Sequence, residues 1–257
     1  MLNFLRADLY RIVHQKLFWI FLLLLPVLVV SCTAFARLAG AGEVLASSVS
    51  LVPNMSDSGS VPLMLTLFFV FFVQSDSKQA AIKSLLVTPH ARRDYVLSKS
   101  VALLIASFVY VLAVQAAMVL MGVLFSISIV PTDPLSVILG LVGMTLAGAA
   151  YAALGFALSV GGKASSLVMV VAVLAVLGMF DFGIMVLLEL ASDSYPFLSP
   201  VFGVIQSVLL TNATNPLSSG ASVVVGPDLA FCLAVCLGYV LVATVAALLI
   251  MRRCDIS

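Results

Sequence analysis

Residues 17 to 36, LFWIFLLLLPVLVVSCTAFA, form a run of twenty residues with no charged side chain. That length and character suit an α-helix crossing a ~30 Å hydrocarbon layer, and exceed what a helix in a soluble core requires. Further apolar runs lie at about 61–75, 97–125, 135–160, 165–190 and 228–250. Only 9% of residues are charged and the mean hydropathy is +1.26, far from the roughly 25% charged residues of a soluble domain. The expected fold is therefore all-α: a polytopic membrane protein whose residues 1–257 make one transmembrane domain of six helices. No polar stretch is long enough for a soluble catalytic domain.

Ahead of the first run, MLNFLRADLYRIVHQK sets Leu2, Leu5, Leu9, Ile12 and Val13 at helical spacing beside Arg6, Arg11 and Lys16. An apolar stripe next to a basic face is the pattern of an amphipathic helix in the headgroup region. Trp19 then marks the interface itself. His14 reads as solvated or lipid-contacting. Val29-Val30-Ser31-Cys32 and Ala34-Phe35-Ala36 loosely resemble signal-cleavage sites, but the apolar run is long and the leader carries Asp8, so a retained span is the expectation.

The longest polar interruption, QSDSKQAAIKSLLVTPHARRDYVLSK at residues 74–99, holds five of the twelve Lys and Arg: Lys78, Lys83, Arg92, Arg93 and Lys99. The run before it is too short to cross a bilayer alone, so its helix is expected to continue past Gln74 and Asp76. Ala80, Ala81, Leu85 and Leu86 fall on a helical face, and Thr88-Pro89 breaks it. Pro89 can open a second helix beginning HARRDY. Two readings stand: a knob that docks in another protein's groove, or a solvated basic loop that only sets topology.

The fourth span carries Gly140, Gly143, Gly148, Ala149, Ala152, Ala153, Gly155 and Ala157, small enough to let neighbouring helices approach closely. Residues 37–60 read as an external loop with a short helix, and SISIVPTDP at 126–134 as an external turn. Gly162-Lys163 hints at a nucleotide loop, but Ala157 and Ala164 occupy the positions that need Gly and Ser or Thr. Cys32, Cys232, Cys236 and Cys254 make no CxxC and no Cys/His cluster, so neither a metal site nor a disulfide framework is expected. Residues 195–212, YPFLSPVFGVIQSVLLTN, are too short and Pro-broken to span, and suit an external or re-entrant element.

Counting cations fixes an orientation. With both ends inside, Arg6, Arg11, Lys16, the five cations of 74–99, Lys163, Arg252 and Arg253 are cytoplasmic, eleven of twelve, leaving Arg37 outside. Such a bias is the mark of cytoplasmic loops. Asp181 then lies inside the fifth span, where an unpaired carboxylate costs roughly 2.5–3.5 kcal/mol, so it must face protein or water. It reads as a substrate or gate contact, or as a hydrogen-bonded packing residue. Glu189 sits at the outer headgroups.

Residues 74–99 resemble the loop between spans 2 and 3 of the ABC type-2 (ABC-2) permease family, notably lantibiotic-immunity and bacitracin-resistance permeases. That family shows an acidic residue, Gly-Thr-Ile-Lys, a leucine pair, a proline, Ser-Arg and a later Ser-Lys. Here these positions are Asp76, Ala80-Ala81-Ile82-Lys83, Leu85-Leu86, Pro89, Ala91-Arg92 and Ser98-Lys99. The departures are Asp for Glu, Ala-Ala for Gly-Thr and Ala for Ser. The resemblance implies a bacterial cytoplasmic-membrane exporter subunit with no catalytic residue of its own. It also implies a second permease subunit and a separate ATPase carrying ATP and Mg, with no nucleic acid. Asp76, Lys83, Leu85, Leu86, Pro89, Arg92, Arg93 and Lys99 would meet the ATPase, and Asp181 and Glu189 would be candidates for the translocation path. The alternative is an ion- or proton-coupled carrier using Asp181, although no internal repeat is evident.

Overall fold

In the computed structural model the described residues are 2–38, 48–50, 60–77, 89–124, 128–130, 134–161, 165–194, 197, 199–214, 217 and 227–253. Helix α1 (Leu2–His14) is followed at once by α2 (Lys16–Leu38). The two are bent by 60° at Gln15. Gln15 N–H donates to the Ile12 carbonyl at 3.2 Å and Phe18 N–H to the Gln15 carbonyl at 3.1 Å, which tightens this corner. Helix α3 (Ser60–Ser77) runs past Gln74 and Asp76, as its short apolar run led us to expect. Helix α4 (Pro89–Leu124) starts at Pro89, so HARRDY is the first turn and a half of the third long helix and not a separate piece. Proline is favoured there because its missing N–H would have no helical partner.

Helix α5 (Pro134–Gly161) is the packing centre and lies against α3, α4 and α10 (Pro227–Arg253). Its small residues explain this. Ala147, Ala149, Ala150, Ala152 and Ala153 are all buried. A Cβ at Gly148 would stand 2.8 Å from Ser107 Oγ, and one at Gly155 2.7 Å from Thr66 Cγ2. A larger residue at either position would have to displace those side chains, and small residues at a helix contact let neighbouring helices pack closely where lipid offers no hydrophobic drive. Cys232 and Cys236, one turn apart on α10, are fully buried free thiols.

The fifth run is not one straight helix. It forms α6 (Ser165–Val176) and α7 (Met179–Ser194), bent by 62°. The break falls at Gly178, whose φ of +71° is the left-handed conformation that glycine adopts without strain. Residues 195–212 hold α8 (Ser199–Val208) and the start of α9 (Leu210–Ala213), short helices broken at Leu209. Loop residues 48–50 and 128–130 form β1 and β2, a parallel pair with Val49 opposite Ile129. This pair was not legible beforehand, because each strand is only three residues long.

Among the described residues three helices, α4, α5 and α10, are long and apolar enough to cross a membrane, and up to five spans result if each bent pair counts as one. Helix α3, with 18 residues or about 27 Å of rise, falls short of that test.

Candidate functional site

Helical spacing brings four charges to one junction. On α1 the inward face is Leu5, Asp8 and Ile12, so a carboxylate sits within the apolar stripe. On α3 the last turn places Asp76 one turn beyond Phe72, and on α4 the residues Tyr95, Ser98 and Lys99 share a face at i, i+3 and i+4. Lys99 is 0% exposed, Asp76 1% and Asp8 5%.

Lys99 Nζ lies 2.7 Å from Asp8 Oδ1 and 2.7 Å from Asp76 Oδ2. Ser98 Oγ donates to Asp8 Oδ2 at 2.7 Å, so neighbouring residues of α4 hold both oxygens of one α1 carboxylate. Tyr95 OH donates to Asp76 Oδ2 at 3.1 Å, and the Arg11 guanidinium pairs with Asp76 Oδ1. Phe72 closes the site, with Lys99 Nζ 3.5 Å and Arg11 Cζ 5.5 Å from its ring centroid, within range of the ring's attraction for cations. Asp8, Asp76, Arg11 and Lys99 sum to zero charge. Burying any one alone would cost several kcal/mol, and mutual pairing with well-placed donors is what offsets it.

Below this junction lies an aromatic core. Phe18, Phe68, Phe69, Phe72 and Tyr110 meet with ring centroids 5.4–6.4 Å apart. Tyr110 OH donates to the Phe18 carbonyl at 3.1 Å, fastening α4 to α2. Two polar links tie α4 to α10: Arg92 Nη1 donates to the Met251 carbonyl at 2.9 Å, and Ser100 Oγ lies 3.1 Å from Thr244 Oγ1. Arg92 thus satisfies a carbonyl in the last turn of α10, which has no partner within its own helix.

The residues expected on one docking surface therefore divide. Asp76 and Lys99 are corrected from surface to interior, because Asp76 is paired with Arg11 of α1 and Lys99 of α4, and Lys99 with Asp8 of α1 and Asp76 of α3. Arg92 is turned partly inward, while Arg93 and His90 are exposed. Pro89 opens α4. Lys78, Lys83, Leu85, Leu86 and Thr88 lie outside the described residues, as does Lys163. Of the interface set, Arg6 and Lys16 are exposed, and Arg11 is drawn into the cluster with 30% of its side chain accessible. Trp19 is half exposed and its indole N–H donates to the Val13 carbonyl at 2.7 Å, across the α1–α2 corner.

Asp181, in the first turn of α7, accepts from Thr211 N–H at 3.0 Å and Thr211 Oγ1–H at 2.9 Å. The hydrogen-bonding partner is thus a threonine of α9. Asp181 thereby pins α9 to the α6–α7 bend, where Thr211 Cγ2 also stands 3.0 Å from the position a Cβ on Gly178 would take. Asp181→Ala is expected to free the Thr211 amide, raising its hydrogen-exchange rate about tenfold, the equivalent of roughly 1.4 kcal/mol of local protection. Thr211→Val, which keeps the amide bond, is expected to change it less. Glu189 is exposed on α7.

Among the described residues no group of three or more His, Cys, Asp or Glu is arranged to hold a metal ion. Several long apolar helices, with a buried neutral ion cluster where α1, α3 and α4 meet, define a helical membrane protein. The family model described as ABC-2 family transporter protein matches residues 5–181, more than half of the chain, and the protein belongs to that family. The matched stretch contains every member of the ion cluster and ends on Asp181. No curated protein matches the sequence.

Proposed function

We propose that this chain is the membrane-spanning permease subunit of an ABC exporter, driven by a separate ATPase on the cytoplasmic face. The observation that carries this reading is the family match over residues 5–181, since permeases of this family typically work with an ABC ATPase. It is supported by a sequence without a nucleotide loop, which needs an outside source of energy. The protein crosses the cytoplasmic membrane six times with both ends inside, α1 lies in the headgroup layer, and a second permease subunit completes the pathway.

Residues 78–88, with Arg93 beside them, are the docking knob. They join the ends of α3 and α4, so a push there acts on two helices at once. The substrate is hydrophobic or amphipathic, with peptide antibiotics of the lantibiotic kind in first place because of the resemblance in residues 74–99. Asp181 and Glu189 border the path on α7. A carrier coupled to protons through Asp181 is the weaker reading, as that carboxylate already accepts two hydrogen bonds from Thr211. Co-purification in mild detergent with the ATPase encoded beside it tests the proposal. An ATPase is expected to elute with the folded permease, and a folded permease that brings down none contradicts it.

A further inference from the structure

The sequence pattern of α1 suggests a helix held by lipid, yet its closest polar contacts are with protein. Asp8 gives both carboxylate oxygens to α4, one to Lys99 Nζ and one to Ser98 Oγ, each at 2.7 Å. Lys99 in turn holds Asp76 at 2.7 Å, two residues before the proposed docking knob at 78–88. Arg11 makes a second link from α1 to Asp76. Three helices therefore converge on one ammonium group that has no access to water.

We infer that Lys99 is a positioning residue. By holding Asp8 and Asp76 together it fastens α1 to the α3–α4 corner, so that α1 and the corner move as one piece. The attachment is through protein charges and not through lipid headgroups. The other polar and aromatic residues of α1 add little grip: Arg6, Tyr10 and His14 are exposed, and Tyr10 stacks on His14 of the same helix, with centroids 4.0 Å apart. A buried ion pair of this kind is a poor source of stability but a good source of a unique arrangement, because any displacement leaves a charge unpaired. That the piece answers an ATPase rests on the exporter reading; that it is one piece does not.

The test uses the whole permease alone in lipid nanodiscs, with spin labels at Val13→Cys on α1 and His90→Cys on α4 in a background where the native cysteines are serine. In the parent protein a single narrow distance distribution is expected, the same in phosphatidylcholine as in phosphatidylglycerol. Asp8→Asn keeps the shape of the side chain and the Lys99–Asp76 pair, and is expected to widen the distribution about twofold or more, as for a helix released to local opening. Lys99→Met should do the same wherever it folds. A parent distribution that follows the lipid charge, or one that Asp8→Asn leaves unchanged, overturns the inference. Neither result depends on an ATPase, so the exporter reading stands or falls separately.

Discussion

Lys99→Met is expected to remove most of the folded permease. The substitution keeps the length of the side chain and takes away its charge, leaving Asp8 and Asp76 facing each other across the space Nζ occupied, where each had lain 2.7 Å from the ammonium. Arg11 remains for Asp76, but Asp8 retains only the hydroxyl of Ser98. Breaking a buried pair by removing one partner typically costs about 3–5 kcal/mol, a large share of the ~5–15 kcal/mol that holds an ordinary domain together. The monodisperse peak in detergent gel filtration should therefore fall several-fold. Adding Asp8→Asn to Lys99→Met restores neutrality, with Asp76 and Arg11 left as a pair, and should recover part of that yield. Such a recovery is a coupling between neighbours that independent sites do not show. A Lys99→Met protein as stable as the parent would mean that the cluster is not the fastening described.

The second large effect belongs to the surface. Reversing Lys83 and Arg93 to Glu should leave the permease folded, since Arg93 is exposed and outside the cluster, yet reduce the co-purified ATPase roughly tenfold or more. That change corresponds to about 1.4 kcal/mol of binding free energy. Like charges brought together at an interface rim act mainly against encounter and register, so the loss should shrink at high salt. Arg92 is the wrong residue for this test. Its guanidinium holds the Met251 carbonyl at the end of α10, and a carboxylate there would disturb that helix end whether or not an ATPase binds.

Membrane character was legible from the apolar runs alone, because the bilayer sets a length that composition must meet. The start of α4 at Pro89, the run of α3 past Asp76 and the tightly packed α5 were also readable, each from a local rule about proline, length or small residues. The buried cluster was not. Asp76 and Lys99 lie 23 positions apart in a segment that looks polar throughout, and only the return of α4 alongside α3 turns them inward together. One signal was present: Asp8 lies three residues after Leu5 and four before Ile12, on the same face, and a carboxylate on an apolar face demands a cation. Gly178 likewise carried the α6–α7 break, but a lone glycine in an apolar run reads as easily as a packing residue. The Thr211 contact of Asp181 joins residues 30 apart through two helix breaks, beyond the reach of any periodic pattern.

The most direct measurement is the ATP hydrolysis rate of the neighbouring ATPase in nanodiscs, with and without the permease. The exporter account predicts that the parent permease changes the rate several-fold and that the Lys83→Glu/Arg93→Glu protein does not. An ATPase whose turnover is indifferent to a folded parent permease would contradict it.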